Sequence, residues 1–172
     1  MKTLVLGLGN PIVTDDSVGL RVAAELKPLL TGRPEIEIGE DYWGGLRLME
    51  RLVGYDRAIV VDAICTGAKP GTIHRLTPDA VPTQRSASAH DVNLPTALEF
   101  GRRAGVHLPA NEDILLVGIE AEDILSFGET CTPAVEAAIP RAVHTVLEAL
   151  TDRGDALQPQ PAPCTNCRSS KP

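Results

Sequence analysis

Four or five short apolar runs alternate along the chain with segments of helical spacing, the signature of an α/β domain. Residues 2–8 carry the first run, Leu4-Val5-Leu6, and are expected to form a buried strand. Residues 17–30 place Val18, Val22, Leu26 and Leu29 on one helical face. Pro34 closes the connection to a second, short strand at residues 36–39. A helix over residues 45–53 gathers Leu46, Met49, Leu52 and Val53 on one side. Ala58-Ile59-Val60-Val61 is apolar throughout and ends on Asp62, the pattern of a central strand covered on both faces.

Residues 71–76 are the next expected strand, bounded by Lys69-Pro70-Gly71 and by Pro78. A polar stretch at residues 83–89 leads into a helix over residues 92–104, and residues 113–119 form the last strand. Thr132-Pro133 opens a C-terminal helix, with Thr as cap and Pro in the first turn. Pro140 falls inside that helix and should kink it. No internal repeat is visible.

With 172 residues the chain is long enough for one well-cored domain. That domain is expected over residues 1–153, with residues 154–172 as a flexible tail holding four of the fourteen prolines. The formal charge of −7 disfavours nucleic acid and anionic membranes as partners. No run approaches the roughly 18–20 apolar residues of a membrane span. Met1-Lys2-Thr3 leads straight into the first strand, so no signal peptide is expected and a cytoplasmic location is the default expectation. A monomer is the default expectation.

The candidate chemistry clusters behind strand ends. Asp15 and Asp16 follow the first strand and its glycines, where ligands bind in open α/β sheets. One or both carboxylates can cap the helix beginning near Ser17; alternatively one caps while the other faces the crevice. Asp62 ends the central strand and points into the same crevice if the first and third strands are neighbours. His90 sits in Ser88-Ala89-His90-Asp91, just ahead of a helix. Together one of Asp15 and Asp16, with Asp62 and His90, makes an oxygen- and nitrogen-rich set suited to a divalent transition metal such as Ni, Zn, Mn or Fe, with positions left open.

Gly7-Leu8-Gly9-Asn10-Pro11-Ile12 supplies two glycines of a dinucleotide fingerprint and lacks the third. Gly-Leu-Gly-Asn-Pro also resembles the start of bacterial peptidyl-tRNA hydrolases, but an acidic turn follows where their basic motif stands, a poor place for tRNA phosphates. Cys164-Thr165-Asn166-Cys167 lacks a second ligand pair. Cys65 is expected to be a small buried residue, and Glu120, Glu122 and Asp123 a solvated acidic loop. No nucleophilic triad is apparent around Ser86, Ser88 and His90. A metal-bound water, with Asp15 left free to accept a proton, is the economical route to hydrolysis.

Several motifs in order resemble the hydrogenase maturation endopeptidases, which remove a C-terminal extension from the large subunit of [NiFe] hydrogenases. They are Gly7-Leu8-Gly9-Asn10 with Asp15-Asp16, Asp62 at its strand end, residues 67–76, His90, Val117-Gly118-Ile119-Glu120, Phe127-Gly128-Glu129 and Thr132-Pro133-Ala134-Val135. The resemblance implies a three-layer α/β fold, a mostly parallel (mixed) twisted sheet of about five strands with helices on both faces. It places the family's catalytic and metal-contacting residues on Asp16, Asp62 and His90. It implies nickel carried by the substrate, with Zn or Cd able to occupy the site, and a hydrogenase large-subunit precursor as partner. Family members often have Glu at the position of Asp16. They commonly read Asp-Gly-Gly-Thr-x-Gly where this chain reads Glu40-Asp41-Tyr42-Trp43-Gly44-Gly45, which points to a different rim for a different precursor subclass. The alternatives are a non-catalytic chaperone of the immature subunit and a peptidyl-tRNA hydrolase-like enzyme.

Overall fold

The computed structural model describes residues 1–80 and 93–152. Five strands form one sheet: β1 (Thr3–Leu8), β2 (Ile36–Asp41), β3 (Arg57–Ile64), β4 (Ile73–Leu76) and β5 (Ile114–Glu120). Their spatial order is β2-β1-β3-β5-β4, parallel except for the antiparallel edge strand β4. The helices are α1 (Val18–Leu29), α2 (Gly45–Arg51), α3 (Leu94–Arg103), α4 (Pro133–Glu136) and α5 (Ile139–Thr151). The expected mixed α/β sandwich is the observed one.

Alternation along the central strands sorts their side chains into two cores. Val5, Ile59, Val61, Val117 and Ile119 pack under α1 and α5, while Leu4, Leu6, Leu8, Ala58, Val60 and Ile114 pack under α2 and α3. Residue 7 faces α1 and has to be glycine, because a Cβ there would lie 2.2 Å from the Gly19 carbonyl oxygen. Gly19 is equally constrained, since its Cβ would meet the carbonyl oxygens of Leu8 and Val61 at 2.3 Å. This close seat draws the start of α1 down onto the ends of β1 and β3. Gly19→Ala should therefore cost about 1–3 kcal/mol by overpacking and displace the turn ahead of α1. A denaturant melt and the amide spectrum of residues 9–17 read the two effects.

Two expectations about the elements need correction. Pro140 does not kink one long helix: the chain breaks into α4 and α5, and Pro140 stands in the first turn of α5, where its missing N–H breaks no helical bond. Asp62 does not end its strand: β3 continues to Ile64 because β5 pairs with it through Ile64↔Glu120. Pairing with β1 stops at Gly7↔Val61, so Asp62 is the first β3 residue beyond β1.

Candidate active site

β1 leads to β2 on one side and is flanked by β3 on the other, so connections leave in opposite directions between β1 and β3. Such a reversal opens a crevice at the carboxyl ends of parallel strands. Asp16 follows β1 there and Asp62 projects from β3, on the side shared with Ala58 and Val60.

The chain leaves β1 through Gly9, at φ +147°, where a Cβ would lie 1.8 Å from the Asp16 carbonyl oxygen. Asp15, Asp16 and Ser17 form a 3-10 turn, after which α1 begins. Neither carboxylate caps α1, contrary to one sequence expectation; Ser17 occupies the cap position, and without a side-chain cap bond. Instead Asp16 Oδ2 accepts the Asn10 amide at 2.9 Å, which folds the loop back and leaves Asp16 only half-buried at the crevice.

Asp62 Oδ1 accepts the Ala63 amide at 2.8 Å. Burial, followed by the negative charge of Asp16, raises its pKa to about 7, against the weaker opposing effect of that amide. The two carboxylates thus feel each other across the β1–β3 crevice. A carboxyl poised near neutrality beside a second acid is what acid–base chemistry or cation binding requires.

Asp15 plays no such part. It is fully buried, and its carboxylate accepts four hydrogen bonds: from the amides of Glu122 and Asp123 at 2.9 Å, and from Thr132 through its amide at 2.7 Å and hydroxyl at 3.0 Å. The free proton acceptor expected at this position is therefore a saturated structural acceptor. Thr132 occupies the cap position of α4, yet its hydroxyl is turned to Asp15 rather than to the helix.

Glu120 was expected in a solvated loop and is instead 2% exposed. Burial opposes its ionisation. Hydrogen bonds from the Thr66 hydroxyl and the Thr66 and Gly67 amides, with His74 at 3.3 Å, outweigh this and hold the pKa below the usual value. It fastens the loop that follows β3. Cys65 in that loop is exposed rather than buried. Loss of water around the sulfur, then the charges of Glu120, Asp15 and Asp16, push its thiol pKa up, which disfavours the nucleophilic thiolate.

His90, the third expected ligand, lies outside the described residues, as do the stretch 83–89 and Cys164 and Cys167. Among the described residues no three His, Cys, Asp or Glu side chains are placed to share an ion. The mutual repulsion of Asp16 and Asp62 nevertheless fits a divalent cation, which would relieve it with two oxygen donors. Sequence reasoning missed the four-bond role of Asp15 and the burial of Glu120, because their partners lie far along the chain and carry no local signature. Tyr42 and Trp43 stand exposed beyond β2, their rings 5.0 Å apart, with Arg47 lying 4.3 Å over Trp43.

Fold and crevice define an open α/β domain whose switch point is acidic and lacks a phosphate-binding glycine turn. Residues 20–149 match the family model of hydrogenase maturation proteases (HycI). The chain is similar to the hydrogenase 2 maturation protease of Escherichia coli K12, 32% identical over 94% of this chain and 98% of that one. It is also similar to the hydrogenase expression/formation protein HupD of Rhizobium leguminosarum bv. viciae, 30% identical over 93% of this chain and 79% of that one. The solved structure of the hydrogenase maturating endopeptidase HybD from E. coli superposes with a TM-score of 0.71 at 32% identity, covering 90% of this chain and 94% of that one. The chain belongs to the hydrogenase maturation protease family, and it is a peptidase. No helix among the described residues is long and apolar enough to cross a membrane.

Proposed function

We propose that this peptidase removes the C-terminal extension of a nickel-loaded [NiFe] hydrogenase large-subunit precursor, with Asp16, Asp62 and His90 meeting the nickel the substrate carries. The observation that carries this reading is the pair of carboxylates at the switch point, one of them raised to a pKa of about 7 by burial and by the other. An incomplete oxygen-rich site holds a free ion weakly, yet it can complete the coordination of an ion already partly bound. Such a site reads metal loading: an empty precursor offers nothing to relieve the repulsion between Asp16 and Asp62.

Nickel held there would polarise a scissile carbonyl and acidify water. The chain's own contribution is positional. Gly9 and Gly19 hold the turn so that Asp16 stays at the crevice. The Ala63 amide fixes Asp62 Oδ1, so the carboxyl can hold or release a proton near neutral pH at its other oxygen, Oδ2. The stacked Tyr42, Trp43 and Arg47, exposed beyond β2, suit a precursor subclass unlike that met by the family's glycine-rich segment.

Asp16→Ala, Asp62→Asn and His90→Ala are each expected to lower processing of nickel-loaded precursor by at least about 100-fold, in line with losing a group that acts on the reacting atoms. The mass of the large subunit after incubation measures this. Cleavage at the wild-type rate by all three variants would remove the proposed site.

A further inference from the structure

The loop that follows β1 and the loop that follows β5 are zipped together into one ledge beside Asp16. Thr14 donates from its amide to the Ser126 carbonyl at 3.1 Å and Gly128 from its amide to the Ile12 carbonyl at 3.1 Å, around a bridge of Val13 to Phe127. The Asp15 amide donates to the Asp123 carbonyl at 3.0 Å, while the Asp15 side chain holds the amides of Glu122 and Asp123 from within. Asp123 Oδ1 in turn accepts the amides of Leu125 and Ser126 at 2.9 Å. Backbone this fully bonded is not a loose loop.

On that rigid ledge the loop after β5 carries three large apolar side chains with no place in either core: Ile124 at 40% exposure, Leu125 at 86% and Phe127 at 82%. Clustered exposed apolar side chains on an ordered scaffold mark a contact surface. Glu122, Asp123 and Glu129 flank these residues in the same loop, and Asp16 follows in the loop bonded to it. Arg21, the cation beside them, is committed to Ser17 Oγ at 3.2 Å and to the Glu129 carbonyl. An apolar centre with an acidic border complements an apolar segment flanked by cations.

We infer that Ile124, Leu125 and Phe127 form a docking ledge for an apolar stretch of the precursor with basic flanks, seated next to the cleavage site. The inference rests on the proposed function for the partner's identity, and on the ledge alone for its chemistry. Because the ledge and Asp16 share one hydrogen-bonded loop, a segment bound there is held at a set distance from the crevice. The ledge would supply binding that is the same in ground and transition states, and so act on KM rather than on kcat.

The test compares wild type with Leu125→Ser/Phe127→Ser and, as a control for an exposed aromatic elsewhere, Phe100→Ser on α3. The three side chains are exposed, so thermal melts should coincide. For full-length nickel-loaded precursor, the ledge variant is expected to raise KM and the titrated Kd about 10- to 100-fold, with kcat within about twofold. Added salt should weaken binding of wild type. Unchanged KM and Kd, or an equal loss in Phe100→Ser, would overturn the ledge. So would a dimer in sedimentation that the ledge variant dissolves without any change in KM, since a second copy would then be its occupant. A wild type that binds precursor through the ledge but leaves its mass unchanged would sink the proteolytic reading and spare the ledge.

Discussion

Asp62→Asn is expected to make the metal-free protein about 2–4 kcal/mol more stable at pH 8 while removing its processing activity. The folded carboxyl has a pKa of about 7, against ~3.9 in the unfolded chain. Between about pH 4 and pH 7 the folded protein thus keeps a proton that the unfolded chain has released. Stability then falls as pH rises, by up to ~1.4 kcal/mol per unit for this group. The contribution is intact below the unfolded value and lost once pH has passed about 7. Asn never ionises, so it escapes that loss. The shift corresponds to about 4 kcal/mol at most, and water reaching the half-buried carboxyl lowers the figure. Urea melts in chelator at pH 5 and pH 8 give the result: the gap between variant and wild type should widen with pH. A gap of equal size at both pH values would show that Asp62 is not the strained acid described here. A divalent cation should narrow the gap, because it stabilises the ionised pair that only the wild type has.

Asp15 is the opposite case, an acid whose removal should weaken the fold. Asp15→Ala strips the acceptor from three amides and one hydroxyl around a fully buried side chain. Orphaned buried donors are costly, and the expected loss is about 3–5 kcal/mol. Asn keeps the shape but turns an NH2 towards a donor, so it should recover only part of the loss. Hydrogen exchange at Glu122, Asp123 and Thr132 should accelerate well beyond the change at Asp113 or Ile114, which lie at the other end of β5. Equal melting of Asp15→Ala and wild type would refute the load assigned to these bonds. The two neighbours, Asp15 and Asp16, differ by one position and by surroundings: Asp15 is spent on structure, while Asp16 stays half-buried beside Asp62, where the proposed chemistry needs it.

Adjacent acids of the same type cannot be told apart by sequence, and Asp15 shows why. Its partners lie 107 to 117 residues further on, and nothing near Asp15 announces them. Asp62 was legible because four apolar residues precede it in a central strand, although the strand outran the expected end by two residues once β5 supplied further pairing. Pro140 was misread for a similar reason. The apolar spacing of residues 133–150 runs across the break, and only the observed backbone separates α4 from α5. Cys65 and Glu120 exchanged their expected surroundings because exposure near a strand end depends on how the following loop is tied down. Here Glu120 is pulled under by Thr66 and Gly67.

By itself the sequence determined the α/β alternation, the strand cores and the acids that follow β1 and sit in β3. These follow from local periodicity and from runs of apolar residues, which need no knowledge of distant segments. Motifs in order were also enough to identify the family. Tertiary structure alone decided that β1 and β3 are neighbours and that Asp16 raises the pKa of Asp62. It alone made Asp15 a buried anchor and zipped two loops from distant parts of the chain into a ledge. Those outcomes depend on which backbone donors and charges meet across the fold, and pairings between distant residues leave no mark in the local pattern of the chain.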